Sequence, residues 1–250
     1  METLFVGKNF VEVPAIDSTN SFANQLLDTR PPEGTLIYTP HQFAGRGQQN
    51  STWVSEPGDN LTFSIVLYPR FLPPERLFAL NKIASLALLE TLRPLFPPDH
   101  LHIKWPNDLL VQRRKTAGIL IENQLESSGI RAAVLGIGLN VNQVEFPPDF
   151  AGRTTSIKAE TGQSHDPKAL LAAFCQHLEG LYLQLRAGQT DRMDRAYLQH
   201  LFAYQELTPV EIDGQDRQVM IVGVDAQGRL AIEQGGQLRY CQMKEIRFRL

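Results

Sequence analysis

The stretch Leu101–Gln112 reads LHIKWPNDLLVQ, two apolar runs around a short polar centre. LHIK and DLLVQ are rich in strand-forming residues, so we predict a strand on each side of Trp105-Pro106. A residue before proline avoids the helical region, which keeps Trp105 extended and holds Lys104 above the end of a sheet. Lys104 there either meets a substrate anion or ends the strand in solvent. Asp108 either binds a cation or caps a turn.

The sequence on both sides of this stretch predicts an α/β fold, in which helices flank a mixed sheet. The first helix can be capped by Asp17, Ser18 or Thr19. A second helix, within residues 74–92, is predicted to be amphipathic, with Leu77, Leu80, Ala84, Leu88 and Leu92 on its apolar side. Further strands are predicted at TLIYT, LTFSIVLY, TAGILIEN and AAVLGIGLNV, and further helices at residues 168–185 and 191–204.

From about Leu207 the pattern changes to short strand-like runs separated by turn signals such as Asp213-Gly214 and Gly235-Gly236. The runs TPVEI, VMIVGV, RLAIE and LRYCQM predict a small antiparallel barrel. We therefore place a domain boundary near residue 205, which separates residues 1–204 from residues 205–250.

Composition excludes several classes of protein. The 24 Lys+Arg and 27 Asp+Glu residues give a net charge of -3, so no basic surface for nucleic acid is expected. Cys175 and Cys241 lie far apart and outside any CxxC pattern, which indicates reduced thiols in a cytoplasmic protein. The six histidines form no cluster with metal-ligand spacing, and no structural metal is expected. The N-terminus has no signal peptide pattern, and no segment is apolar enough to predict a membrane span.

The loop QFAGRGQQNSTW, from Gln42 to Trp53, is similar to a phosphate-binding loop without matching a common one. No lysine follows its glycines as in the Walker A pattern, and Asn50 stands where the dinucleotide fingerprint has its third glycine. Gly45 and Gly47 would let backbone N–H groups approach an anion, and Arg46 offers a planar fork for phosphate or carboxylate. The alternative is a flexible surface turn.

Gly118, Gly136 and Gly138 fall inside predicted strands. Glycine weakens a strand, so its presence indicates that a ligand or another backbone lies close there. The alternative is a bulge or close packing of the sheet.

Five segments, in this order, resemble the motifs of the biotin–protein ligases. They are Ser18-Thr19-Asn20, the Gly-Arg-Gly loop that ends in Trp53, Lys104–Asp108, Lys115–Glu122 and Gly136–Asn142. The run Lys-Trp-Pro-Asn-Asp is the most diagnostic of them. The β-rich C-terminal part is similar to the SH3-like domain of that family, so the resemblance covers nearly the whole chain.

The resemblance implies a catalytic domain related to class II aminoacyl-tRNA synthetases, followed by the SH3-like barrel. It also implies a two-step reaction with ATP and biotin as substrates and Mg²⁺ as companion of the nucleotide. The biotin carboxylate attacks the α-phosphate of ATP, which gives biotinyl-adenylate and pyrophosphate. A lysine of a biotin carboxyl carrier protein, as in acetyl-CoA carboxylase, then displaces AMP. A monomer or homodimer without nucleic-acid or membrane partner is expected.

The resemblance also implies which residues form the site. Lys104 and Arg46 are the expected catalytic residues, since both can stabilise negative charge between carboxylate and phosphate. Asp108 is a candidate Mg²⁺ contact. The expected biotin site comprises Ser18, Thr19, Asn20, Gln42, Gly45, Arg46, Gly47, Gln48, Lys104 and Gly118. The expected ATP site comprises Arg46, Trp53, Lys104, Asn107 and Asn140.

Two positions depart from the family pattern. Many members have further arginines where this chain has Gln48 and Ser51, so two cations that could hold the adenylate are missing. The first motif also begins at Ser18, which leaves no room before it for the helix-turn-helix domain of some members. A ligase without repressor function is therefore expected.

Three alternatives remain open. A lipoate–protein ligase would share the fold and the acyl-adenylate chemistry but use another acid. A non-catalytic regulator would bind biotin without consuming ATP. The C-terminal part could bind nucleic acid, although Tyr240 and Phe248 are its only aromatic residues.

Overall fold

The computed structural model describes residues 2–48, 51–127 and 129–249. Its helices are α1 (Thr19–Leu26), α2 (Phe78–Leu92), α3 (Ile157–Thr161), α4 (Pro167–Arg186) and α5 (Asp191–Gln199). Its strands are β1 (Phe10–Glu12), β2 (Leu36–Thr39), β3 (Gly45–Arg46), β4 (Thr52–Trp53), β5 (Leu61–Leu67), β6 (Leu101–Lys104), β7 (Asp108–Val111), β8 (Arg114–Glu126), β9 (Gly129–Leu139), β10 (Leu207–Ile212), β11 (Gln215–Val224), β12 (Leu230–Gln234), β13 (Gln237–Cys241) and β14 (Ile246–Phe248). Asn50, which stands where the dinucleotide fingerprint has its third glycine, lies outside the described residues. Within them, no helix has the length and apolar character needed to cross a membrane.

A seven-stranded sheet forms the centre of the molecule, with the strand order β1-β2-β5-β9-β8-β7-β6. Its neighbouring strands run antiparallel, except that β1 and β2 are parallel. The six strands predicted upstream of, around and downstream of Trp105 are confirmed as β2 and β5 to β9, as is the α/β class. β1 was not predicted, because three partly exposed residues carry too short a pattern to detect.

The helix α2 is buried on nearly all sides, so the prediction of an amphipathic helix was wrong. Ser85, Leu86, Ala87 and Leu89 are buried in addition to residues of the predicted apolar side. The helix contacts β6, β7 and β8 as well as α4 and α5. Because both sheet and helices cover it, apolar residues are required all round α2 rather than along one stripe.

The helix α1 lies on the opposite face of the sheet and contacts β2, β5 and β9. Ile37 and Val66 pack in the small cluster beneath α1, whereas their neighbours Leu36 and Ile65 face the main core. This alternation follows from the two-residue period of a strand. The Ser18 hydroxyl caps α1 by accepting a hydrogen bond from the Ser21 N–H, as predicted.

Two segments after β9 differ from the predictions. The region 144–166 was expected to be irregular but contains the one-turn helix α3. The last predicted helix was expected to reach Tyr204, whereas α5 ends at Gln199. Residues 200–202 instead run beside β6, where the Phe202 N–H donates to the Ile103 carbonyl at 2.8 Å. Pairing with the sheet edge thus competes successfully with continuation of the helix.

The C-terminal residues form a five-stranded antiparallel sheet with the order β13-β12-β11-β10-β14. Its first four strands in the chain were predicted, and the short β14 was not. The C-terminal part contacts the central sheet within Leu101–Gln112. The buried Trp105 donates from its indole Nε1 to the Gly228 carbonyl at 2.8 Å.

Candidate functional site

A cavity of about 230 Å³ lies between the β3–β4 hairpin, the N-terminus of α1 and the strands β8 and β9. Eleven predicted site residues line it: Ser18, Thr19, Asn20, Gln42, Arg46, Gly47, Gln48, Trp53, Asn107, Asp108 and Gly118. The predicted residues Gly45, Lys104 and Asn140 are not part of its wall. Lys115, Ile119, Leu120 and Ile137 line the cavity although the sequence analysis did not assign them to the site. The fold thus brings together segments that are far apart in the chain.

The first turn of α1 and Gln42 form one polar end of the cavity. The Gln42 Oε1 accepts a hydrogen bond from the Thr19 backbone N–H at 2.9 Å. Because this oxygen is used, the Nε2 donor of Gln42 is the atom left for a ligand. A Cβ on Gly45 would lie 2.7 Å from that Nε2, so glycine at position 45 makes room for the amide.

Asn20 lies in the cavity wall, but both of its amide atoms bind protein groups. Its Oδ1 accepts from the Ser64 hydroxyl at 2.6 Å, and its Nδ2 donates to Glu122 Oε2 at 2.9 Å. A Cβ on Gly136 would collide with Asn20 Oδ1, so this glycine accommodates the asparagine side chain. Asn20 therefore supports the wall, and its expected contact with a ligand stays a prediction.

Arg46 pairs with Glu122 of β8 beside the cavity. Its Nη2 lies 2.9 Å from Glu122 Oε1, and its Nη1 lies 3.5 Å from Oε2. Arg46 was expected to hold a substrate anion, whereas its guanidinium here faces a carboxylate of the protein. Glu122 was not assigned to the site, although it ends the quoted segment Lys115–Glu122.

The indole of Trp53 lies against Gly118 and Gly138, which are paired positions of β8 and β9. A Cβ on Gly138 would lie 2.6 Å from the indole Cζ2, and one on Gly118 would lie 3.1 Å from Cζ3. A ligand or a backbone was expected beside the strand glycines. The structure places side chains there instead, namely Trp53 and Asn20. Glycine is needed because these side chains come closer than a Cβ permits.

Asp108 lies between two lysines at the other end of the cavity. Its Oδ1 is 2.6 Å from Lys115 Nζ, and its Oδ2 is 3.1 Å from Lys104 Nζ. Burial raises the pKa of Asp108, but the charges and hydrogen bonds of Lys115 and Lys104 outweigh it and lower that pKa below its ordinary value. The carboxylate is therefore ionised at neutral pH. Two ammonium groups share one carboxylate, which leaves this end of the cavity positive.

Of these two lysines, Lys115 lines the cavity and Lys104 does not. Lys104 lies in a neighbouring groove of about 560 Å³ between the two sheets, with its Nζ 5.7 Å from the centre of the Phe248 ring. Lys115 Nζ lies 5.6 Å from the Trp53 ring. The residue best placed to touch a ligand is thus Lys115, which the sequence analysis quoted only as part of a motif.

Trp53 Nε1 and Asn140 Oδ1 are among the buried polar atoms that have no hydrogen-bond partner in the described residues. Asn140 uses its Nδ2 to bind the Thr155 carbonyl at 3.0 Å. It follows Gly138 by two positions, so the two residues belong to the same face of the chain. An unpaired buried donor is costly, and a flat heterocycle with an acceptor on its edge would satisfy Trp53 Nε1. Asn140 does not line the cavity, so its expected contact with ATP stays a prediction.

No group of three or more His, Cys, Asp or Glu side chains is arranged to hold a metal ion in the described part of the chain. Asp108 is a carboxylate of the cavity wall, and both of its oxygens already face lysines. A divalent cation that arrived with a nucleotide would compete with these lysines for Asp108. Cys175 and Cys241 are buried free thiols.

Residues 12–141 match the Biotin/lipoate A/B protein ligase family. A biotin--[acetyl-CoA-carboxylase] ligase of Mycobacterium tuberculosis is 30% identical over 209 residues, which cover 82% of this chain and 75% of that protein. The bifunctional ligase/repressor BirA of Bacillus spizizenii is 33% identical over 168 residues, or 66% of this chain. The chain spans about half, 51%, of that relative's length.

Among solved structures, the biotin protein ligase from Aquifex aeolicus in complex with biotin and ATP superposes with a TM-score of 0.80. The match covers 97% of this chain and 99% of that one at 24% sequence identity. At this identity the likeness is one of fold. It extends over the central sheet and the C-terminal sheet together.

Proposed function

The chain belongs to the biotin/lipoate A/B protein ligase family, and we propose that it uses ATP to attach biotin to a lysine of a biotin carboxyl carrier protein. The observation that carries this proposal is the polarity of the cavity. One end presents neutral hydrogen-bonding groups around Gln42, and the other presents Lys115, whose partner Asp108 also binds Lys104 outside the cavity wall. Such an arrangement suits an acid with a neutral polar head.

The neutral end suits the cyclic urea of biotin. The Nε2 of Gln42 can donate to the ureido oxygen, because its Oε1 is already held by Thr19. The apolar Ile119, Leu120 and Ile137 line the same cavity and suit the fused rings. With its head at this end, biotin can direct its carboxylate toward Lys115.

The Trp53 end suits a purine. The indole offers a flat face, and its unpaired Nε1 offers a donor. Asn107 lines the cavity near Asp108 and already donates from its Nδ2 to the Ile119 carbonyl at 2.7 Å. We place the adenine of ATP beside Trp53 and its phosphates toward Lys115.

In the proposed first step, the biotin carboxylate attacks the α-phosphate and pyrophosphate leaves. Negative charge then gathers between carboxylate and phosphate, where the Lys115 ammonium group can stabilise it without transferring a proton. Asp108 orients Lys115 and Lys104, so Lys104 contributes mainly through this shared carboxylate. Mg²⁺ bound with the nucleotide would neutralise phosphate charge, and Asp108 is the residue that would contact it.

In the proposed second step, the amine of a carrier lysine attacks the carbonyl of biotinyl-adenylate and AMP leaves. We assign the binding of both substrates to residues 1–204, and we interpret residues 205–250 as an SH3-like domain. The contacts of Trp105 with Gly228 and of Lys104 with Phe248 support a role for that domain in completing the site.

A lipoate–protein ligase is the second candidate, because the matched family includes both kinds of ligase. The deciding experiment measures pyrophosphate release from Mg-ATP by the purified chain with biotin, lipoate or octanoate offered separately. Release with biotin alone is expected. Release with lipoate or octanoate instead would overturn the choice of acid. No release with any of the three acids, from folded protein that binds biotin, would favour a non-catalytic regulator.

A further inference from the structure

Glu122 accepts hydrogen bonds from three side chains that belong to two other elements. Its Oε2 accepts from Asn20 Nδ2 at 2.9 Å and from Asn24 Nδ2 at 3.1 Å, both in α1. Its Oε1 lies 2.9 Å from Arg46 Nη2 in β3. The two asparagines therefore hold the carboxylate in one orientation, in which Oε1 faces Arg46.

Arg46 is coupled in turn to Trp53 through the short β3–β4 ladder. The register pairs Arg46 with Thr52 and Gly45 with Trp53. The same ladder places the Trp53 indole against Gly118 and Gly138. A displacement of Arg46 would therefore move the strand that carries the indole.

We propose that Glu122 is a positioning residue that fastens the β3–β4 ladder to β8 through Arg46 and so holds Trp53 at the purine end of the cavity. In this arrangement the ion pair between Arg46 and Glu122 is a tether that joins the β3–β4 ladder to β8, and Lys115 stabilises the charge on the reacting phosphate. The expected effect of Glu122 on the KM for ATP and biotin rests on the proposed function. The tether itself is a property of the protein without ligand.

The two tryptophans allow the tether to be measured without any activity. Trp105 is only 2% exposed and hydrogen-bonded, whereas Trp53 is partly exposed, so acrylamide quenching of fluorescence reports mainly on Trp53. Glu122→Gln keeps the shape of the side chain but removes its charge. We expect it to raise the quenching constant about threefold, in line with the loss of a half-exposed, hydrogen-bonded ion pair.

Salt provides a second test. The side chains of Arg46 and Glu122 are 50% and 27% exposed, so salt should screen their attraction. Quenching of the wild-type protein is expected to rise with NaCl, and quenching of Glu122→Gln is expected to be nearly independent of it. Glu233→Gln, a change to an exposed glutamate on β12, serves as the matched control and should behave like wild type.

A double-mutant cycle separates the tether from a general loss of packing. Arg46→Gln should raise quenching as much as Glu122→Gln, and the double variant should add nothing further. In steady-state assays of pyrophosphate release, Glu122→Gln should raise the KM for ATP and biotin while kcat changes little, because Lys115 is unchanged.

The tether would be overturned if both single variants showed the same quenching constant and the same salt response as the wild-type protein. Additive increases in the quenching constant of the double variant would overturn it as well. Absence of adenylation by the wild-type chain with every acid would overturn the proposed function instead. In that case the quenching results still decide the role of Glu122. A variant that failed to fold would be recognised by its thermal unfolding, and Arg46→Gln alone would then carry the test.

Discussion

Among single residues, the two lysines that share Asp108 differ in their access to the cavity. Lys115→Ala is expected to lower kcat for biotin-dependent pyrophosphate release by about 100-fold, since it removes a cation aimed at the developing charge. Lys104→Ala is expected to cause a smaller loss, because Lys104 acts through Asp108. Steady-state pyrophosphate assays compare the two. A larger loss for Lys104→Ala would return the main catalytic role to that residue.

Gln48 is a neutral residue in the cavity wall that could determine how long the adenylate stays bound. It lines the cavity, and it is one of the two departures from the family pattern expected from the sequence. Gln48→Arg would add a charge-assisted hydrogen bond to the phosphate, worth about 1.5–3 kcal/mol. We expect biotinyl-adenylate to leave this variant at least about tenfold more slowly, as measured by its release from preloaded enzyme. Gln48→Met, which adds no charge, is the control, and an unchanged rate for Gln48→Arg contradicts the argument.

At the scale of elements, β9 depends on glycine where the Trp53 indole crosses it. Gly138→Ala would place a Cβ 2.6 Å from the indole Cζ2 and is expected to displace the ring. The KM for ATP should rise about tenfold while the fold persists, since one stacking contact of about 1–3 kcal/mol is lost. Titrations with ATP at saturating biotin measure this KM.

Gly180 in the middle of α4 offers the matched control. A Cβ there would meet no atom within 4 Å. Because glycine costs a helix interior up to about 1 kcal/mol relative to alanine, Gly180→Ala is expected to raise the free energy of unfolding by about that amount. Its KM for ATP should stay at the wild-type value. A raised KM in both variants would mean that Gly138 acts through general stability.

The helix α4 also holds the N-terminal segment through Glu179. The buried carboxylate accepts backbone hydrogen bonds from Leu4, Phe5 and Val6 at 2.6, 2.7 and 3.0 Å. Burial raises the pKa of Glu179, but these three donors outweigh it and lower the pKa below its ordinary value. The stabilisation is therefore complete above the unfolded-state pKa of about 4.3 and is lost as the pH falls through the lower folded-state value.

Glu179→Gln is accordingly expected to reduce the free energy of unfolding by about 1–3 kcal/mol at neutral pH, because one acceptor and the charge are lost. The difference from wild type should shrink as the pH falls from the unfolded-state pKa through the lower folded-state pKa of Glu179, below which both proteins carry a neutral side chain. Urea denaturation at neutral pH and in acid measures the difference in the free energy of unfolding. A difference that persisted in acid would assign the effect to packing.

At the scale of the whole molecule, the two sheets meet at Trp105. Trp105→Phe removes the donor to the Gly228 carbonyl and leaves unfilled volume in the core. We expect the free energy of unfolding to fall by about 1–3 kcal/mol and turnover to decline, since Lys104 and the C-terminal sheet lose their common anchor. Urea unfolding and pyrophosphate release test both. Tyr240→Phe, on the exposed side of β13, should change neither.

The sequence was informative about the fold wherever a pattern was long enough to repeat. The strands around Trp105 and the helices α1 and α4 were predicted, since caps and periodicity involve neighbouring residues. β1, α3 and β14 were missed because three to five residues do not complete a recognisable period. The burial of α2 was missed because it depends on what covers the helix.

The candidate site shows the same division. Its glycines, Gln42 and Trp53 were selected from the sequence by their chemistry and by resemblance. Lys115 was not, because its meeting with Asp108 depends on the β7–β8 pairing, in which a bulge shifts the register between Leu109 and Leu110. The pairing of Arg46 with Glu122 likewise joins residues 76 positions apart.

The sequence by itself determined the order of most strands and helices and the set of chemical groups available to bind an acid and a nucleotide. The tertiary structure alone decided which of these groups face the cavity and which face each other. Periodicity and caps are properties of adjacent residues, so they can be recognised locally. The partner of a charge or the occupant of a glycine's empty space is set by sheet register and packing across the molecule, which no local pattern contains.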